Sequence, residues 1–412
     1  MGSEMRKIFL LVLGLSLLIP KISQAQVTND EPLFGIKFKG FVMANIAYDT
    51  RQTVNAREGD LALFPQPVAL DADGNDIFEV PSFNILSVFS RLSGSITGPN
   101  AFGAKTSGVL EGDFFGQTNG DVNGFRLRHA IIKLNWNKTT LMVGQYWSPL
   151  FVLGVTPGVI AVSAGAPFQP FSRNPQIRIE HEANGIKLIA AALTQRDFKS
   201  PGPVTGTDYL RNSGTPDLHL QFQFPGRFAM FGIGGEIKSL LPELITSNGY
   251  KADEKITTYT GIAYMKASKG MVSFKAEGVY GSNMTDHLML GGYAVSGIDT
   301  VTGRCTYTGV NAISGWADLS VGKAVQGGIF FGYTENQGAD DPIVGAFYGR
   351  GFNILSVSRL APRIQVRYGQ SRFALETEFT SAYYGIPDQN GIVKNTEKVS
   401  NTRFLFASYY YF

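Results

Sequence analysis

The sequence holds one cysteine, Cys305, so no disulfide can form within the chain. Beyond the first 25 residues it has no apolar run of about 18 residues, which excludes helical membrane spans. No helical periodicity is sustained, which argues against a soluble α/β enzyme. The four histidines (129, 181, 219 and 287) have no metal-ligand spacing, and with a single cysteine no zinc set is available. Net charge is also scarce. The chain has 36 basic and 33 acidic residues; without Arg6, Lys7, Lys21 and Glu4, the net charge falls from +3 to +1. Nothing in that balance points to nucleic acid or to a polyanionic partner.

At the start, Met5-Arg6-Lys7 is basic, Ile8 to Ile19 is apolar, and Ser23-Gln24-Ala25 is a small-x-small cleavage site. Residues 1–25 therefore read as a secretory signal peptide, with Gln26 first in the mature chain and no lipoprotein cysteine after the cut. Residues 26–34 read as a short periplasmic segment and 35–412 as a single barrel domain. Gly (48), Phe (30) and Tyr (17) are abundant, and an exported chain without disulfides can take its rigidity from a closed barrel.

Period-two alternation dominates from residue 35 onward. Ile364, Val366 and Tyr368 alternate with Arg363, Gln365 and Arg367. Phe373, Leu375 and Phe379 do so with Arg372, Glu376 and Glu378, as do Leu218, Leu220, Phe222 and Phe224 with His219, Gln221 and Gln223. In a barrel the polar face lines water and the apolar face meets lipid. Sixteen strands are expected. The first eight lie near 35–49, 83–97, 104–115, 124–136, 139–147, 175–182, 185–196 and 217–224. The other eight lie near 228–239, 255–267, 270–281, 311–322, 325–335, 360–369, 371–384 and 400–412. Long connections alternate with tight turns, the sorting of extracellular loops and periplasmic turns in outer-membrane barrels. The last strand carries Phe404, Phe406, Tyr410 and a terminal Phe412 on one face, which resembles the end of such barrels. The fold class is thus all-β, a transmembrane antiparallel barrel in a bacterial outer membrane.

A more specific likeness lies in residues 110–178. Leu110-Glu111-Gly112-Asp113-Phe114-Phe115-Gly116 is followed by Phe125-Arg126-Leu127-Arg128-His129-Ala130, then Val143-Gly144-Gln145-Tyr146-Trp147-Ser148, then Arg173-Asn174-Pro175-Gln176-Ile177-Arg178. This order resembles the DcaP-like porins, which are similar in turn to the phosphate-selective porins. The resemblance implies a sixteen-stranded barrel, homotrimers, and uptake of small, often anionic, solutes. Some members carry a periplasmic helical extension, for which residues 26–34 are too short. Substrate identity is not carried over.

Alternation turns Glu111 and Asp113 to the interior, opposite Arg126 and Arg128 on the next strand. Bracing the wall and touching solute both remain open for these four. Segment 148–172 has no charge but four prolines (149, 157, 167 and 170), so as the third extracellular loop it is expected to fold inward and narrow the lumen. Arg91, Arg126, Arg128, Arg173, Arg178, Arg363, Arg367 and Arg372 are expected in the lumen, with Glu111, Asp113 and Glu180 among them. Guanidinium stays charged and takes carboxylate or phosphate bidentately. The expected function is a porin, a passive channel for small polar solutes with a mild preference for anions such as carboxylates. It needs no cofactor and is not an enzyme.

A transporter of hydrophobic substrates is the alternative, because segment 148–172 is apolar. A barrel-embedded hydrolase is the more distant one, since Asp217 and His219 share a face without a serine beside them in sequence. A gated receptor would need a plug that residues 26–34 cannot supply. His129 and His181 fall on apolar faces and are expected to pack at a subunit contact or interface rather than to act as ligands. Asp71, Asp73 and Asn75, in the stretch up to Asp76, have a calcium-loop-like spacing but read as a polar turn, because Gly74 sits at the wrong position for such a loop.

Overall fold

A computed structural model describes residues 34–204 and 208–412; the expected signal peptide and residues 26–33 lie outside them. In chain order the strands are β1 (Gly35–Asp49), β2 (Thr53–Ala56), β3 (Leu61–Pro65), β4 (Ser82–Leu86), β5 (Arg91–Thr97), β6 (Lys105–Asp113) and β7 (Arg126–Asn135). Next come β8 (Thr139–Trp147), β9 (Arg173–Ala183), β10 (Ile186–Leu193), β11 (Asp217–Pro225), β12 (Ala229–Leu240), β13 (Ile256–Lys269) and β14 (Val272–Ser282). The chain ends with β15 (Gly291–Ile298), β16 (Cys305–Gly322), β17 (Val325–Ala339), β18 (Phe347–Arg350), β19 (Ile354–Tyr368), β20 (Ser371–Pro387) and β21 (Val393–Tyr411).

Sixteen of these positions form a closed antiparallel barrel. β4 and β5 count as one broken staff, since both pair with β1. The break at residues 87–90 is bridged where the Met43 N–H donates to Ser90 Oγ (3.0 Å). β1 also pairs with β21, from Phe41↔Tyr411 to Asp49↔Arg403, and this closes the barrel. Closure is what a sheet in lipid requires, because an open edge would leave several backbone groups unpaired at several kcal/mol each. Along β17, Ile329, Phe331 and Tyr333 face outward while Phe330 and Thr334 are buried inside, which is the expected alternation.

The long strands run further than the hydrophobic pattern predicts. β21 begins at Val393 rather than 400, β19 at Ile354 rather than 360, and β16 at Cys305 rather than 311. Lys394, Asn395, Thr396, Glu397 and Lys398 of β21 are polar on both faces, so pairing continues where no lipid imposes an alternation. β15 and β18 pair in the same way inside expected loops.

Segment 148–172, between β8 and β9, is largely buried, with Leu150, Val155, Ala166 and Phe168 fully so. Four inward side chains hold its backbone. Lys275 of β14 donates to Thr156 O (2.6 Å), Ser314 of β16 to Phe168 O (2.9 Å), and Arg359 of β19 to Ala166 O (3.1 Å). Glu376 of β20 accepts the N–H groups of Ile160 (2.9 Å) and Ala161 (3.0 Å). The β2–β3 hairpin adds to the same packing, with Leu63 O taking Arg359 (2.6 Å) and Pro65 O taking the Tyr384 hydroxyl (2.6 Å).

Candidate functional site

The motif segment gathers one buried charge cluster. β6 alternates, so Glu111 and Asp113 turn inward together. β7 has a bulge at Arg128, where Glu111 opposes His129 and Gly112 opposes Leu127. The extra residue brings His129 inside beside Arg126 and Arg128. Asp113 takes Arg126 at two contacts (2.7 and 3.3 Å) and Arg128 at 2.6 Å, and Arg128 also reaches Glu111 (2.9 Å). Arg91 stands 3.7 Å from Glu111. Asp197, from the connection after β10, closes the cluster on Arg173 (2.5 Å) and Arg126 (3.5 Å). Burial pushes the Asp197 carboxyl up, but Arg173 and Arg126 outweigh it and hold it below its ordinary value. Sequence spacing carried no signal for Asp197.

Aromatic rings complete the enclosure. Arg91 lies over Phe41 (5.1 Å) and Phe89 (4.9 Å), Arg128 over Phe89 (5.4 Å) and Trp147 (5.8 Å), and Arg173 over Trp147 (4.9 Å). Asp113, Arg126, Arg128 and Arg173 are buried. Each guanidinium of the cluster is thus held by carboxylates or aromatic rings of the wall itself.

His129 departs from the expectation of a subunit contact. The bulge turns it inward, where Nδ1 lies 3.3 Å from Glu111 and the ring packs on Tyr146. His181 stays on the outer face of β9, bonded to Thr139 Oγ1 (2.8 Å).

On β19 and β20 the expected arginines separate into two groups. Arg363 is buried, donates one hydrogen bond to Asp318 Oδ1 (2.9 Å), and has a second ion-pair contact to its Oδ2 (2.7 Å). Arg367 and Arg372 face each other across the pair and lie over the stacked rings of Tyr411 (5.5 Å) and Tyr409 (4.9 Å). No carboxylate is within ion-pair distance of either among the described residues.

Arg178 and Glu180 open onto a cavity of 440 Å³ along the inner wall of β7 to β12, under residues 149–154. Arg178 pairs with Glu180 (2.5 Å), which Lys187 shares. Lys133 completes the cationic set, lying over the Tyr146 ring (5.1 Å). Lys133 and Lys187 were missed by sequence reasoning, although Lys187 follows the alternation of Ile186 and Leu188.

Asp217 and His219 do share the inner face, but His219 Nε2 bonds Gln221 (3.0 Å). Nearby, Asp286 takes Lys238 (2.6 Å) and Gln195 (2.9 Å), while Asp217 Oδ1 and His219 Nδ1 are buried without a hydrogen-bond partner. In the first loop, Asp71 Oδ1 accepts the backbone N–H groups of Asp73 and Asn75 (both 2.9 Å), which builds the expected turn. Among the described residues no group of three or more His, Cys, Asp or Glu is placed to hold a metal ion.

No protein-family profile and no curated sequence matches the chain. Solved structures do. The outer membrane channel DcaP of Acinetobacter baumannii superposes with a TM-score of 0.67 at 15% identity, over 92% of this chain and 98% of that one. The outer membrane protein OmpT of Vibrio cholerae, in a trimer form, gives 0.55 at 10%, over 92% and 100%. OmpF of Salmonella typhi, in complex with daunomycin, gives 0.54 at 10%, over 94% and 100%. The fold is that of the outer-membrane porins.

Proposed function

We propose that the chain is a porin of a bacterial outer membrane, a passive channel for small polar solutes with a mild preference for anions such as carboxylates. One observation carries the reading: a closed barrel keeps a polar cavity inside, with Lys133, Arg178 and Lys187 against the one carboxylate of Glu180. Segment 148–172 acts as an inward loop that narrows the lumen, because its backbone is bonded to β14, β16, β19 and β20. Its apolar side chains are used in packing, Phe168 on Phe330 and Phe151 on Trp147, which supports a polar route over a hydrophobic one.

Arg178, Glu180, Arg367 and Arg372 meet solute, while Arg91, Glu111, Asp113, Arg126, Arg128, Arg173 and Arg363 hold the wall rigid. At physiological salt, charges beyond about 8 Å are largely screened, so the preference is a few-fold one. The chain is exported with residues 1–25 removed and assembles as a homotrimer; light scattering in detergent should return the mass of three chains. In planar bilayers the protein should form open channels, and deleting residues 153–166 should raise their conductance. No channel activity from folded trimers would defeat the reading.

A further inference from the structure

The cavity under residues 149–154 has two unlike parts. At 440 Å³ it falls in the usual range of small-molecule sites, about 300–1,000 Å³. One part is cationic. Lys133 has no carboxylate within ion-pair distance among the described residues, and it lies over the Tyr146 ring. Arg178 gives one nitrogen to Glu180, while its buried Nε has no hydrogen-bond partner. Lys187 leans on the same Glu180, so one carboxylate pairs with two cations and Lys133 stands beyond ion-pair distance of it.

Beside it lies an apolar strip, with Met142 and Ile189 from the wall, Val152 and Leu153 from the loop, and Met230 from β12, bordered by the polar side chains of Asn135, Thr140, Gln221 and Gln223. Leu153 is 48% exposed, although its loop packs most of its apolar side chains away. Leu153 is the one large apolar side chain of segment 148–172 left exposed, and an apolar ligand body would bury it.

We infer that this cavity is a binding site for an organic monocarboxylate with an apolar body, aromatic or branched aliphatic. The inference rests on the porin reading above and specifies its solute. The carboxylate sits between Lys133 and Arg178, whose planar fork suits it, and the body covers Leu153, Val152 and Met230. Chloride or phosphate uses only the cationic part. A neutral sugar leaves the cations uncompensated. A compact dicarboxylate forces its second charge onto the apolar strip, where desolvation opposes it.

The test is block of chloride current through the reconstituted channel by benzoate, succinate or phosphate added to one side. Benzoate should block at a concentration about tenfold lower than either of the others, a difference of about 1.4 kcal/mol. Leu153→Asn should weaken block by benzoate and leave the reversal potential in a potassium chloride gradient unchanged. Lys133→Gln with Arg178→Gln should weaken block and also move that potential toward cations. Equal block by all three anions, or benzoate block indifferent to Leu153→Asn, overturns the inference while the anion preference stands. A wild-type channel that prefers potassium defeats the underlying reading instead.

Discussion

Two stretches of the inner wall carry arginine at similar strand positions and have opposite fates. On β5 to β9, Arg126, Arg128 and Arg173 are enclosed by Glu111, Asp113, Asp197 and aromatic rings, with Arg91 half-buried at their edge. On β7 to β12, Lys133, Arg178 and Lys187 border an open cavity with Glu180 alone. The same alternation turned both sets inward. What separates them is the covering: residues 87–90, 114–116 and 195–198 close over the first set, while residues 149–154 leave a gap over the second. A period of two tells inside from outside, but not dry from wet.

The strongest way to break this comparison is to remove one carboxylate from each region. Asp113→Asn leaves Arg126 and Arg128 buried with a neutral partner, and should cost about 3–5 kcal/mol. Glu180→Gln, bordering the cavity, should cost about 1 kcal/mol or less. Urea titrations of the folded barrel measure both; equal losses would erase the distinction.

A smaller effect is expected in the first loop, outside the strands. Asp60 is buried at the tip of the β2–β3 hairpin, where it accepts a hydrogen bond from Asn45 while Arg403 donates to Gly59 O (2.5 Å). Burial pushes its carboxyl up to about 6, against the opposing pull of Asn45 and Arg403. The docked hairpin therefore holds a proton that the undocked one releases. The contribution of that proton to docking is full below the ordinary value of 3.8 and is lost as pH rises through about 6. Protection factors against hydrogen exchange over residues 53–65, corrected for the intrinsic pH dependence of amide exchange, should be higher at acid pH, and Asp60→Asn should abolish that difference. The least effect belongs to Arg367→Gln, which relieves the like-charge pairing with Arg372 on an exposed face and should change stability by under about 0.5 kcal/mol. Thermal unfolding would check it.

The barrel, its sixteen staves and the burial of the neutral loop were legible because lipid enforces alternation and loops normally carry charge. The polar ends of β16, β19 and β21 were not, since water on both faces removes the pattern. His129 escaped because a single bulged residue reverses every later assignment on its strand. Lys133 lies just past the same bulge. Asp197 and the β2–β3 hairpin act through distant contacts, which no local spacing records. Leu61-Ala62-Leu63-Phe64, an apolar run in an expected water-facing loop, was the one available sign that the hairpin turns inward.

The central claim is that the wet cations, not the enclosed ones, set the channel's charge preference. Reversal potential in a potassium chloride gradient tests it, comparing the wild type with the Lys133→Gln/Arg178→Gln double variant. A chloride preference of a few fold in the wild type that shifts toward potassium in the variant is the predicted result. A wild type that already favours potassium, or a variant with an unshifted potential, contradicts it.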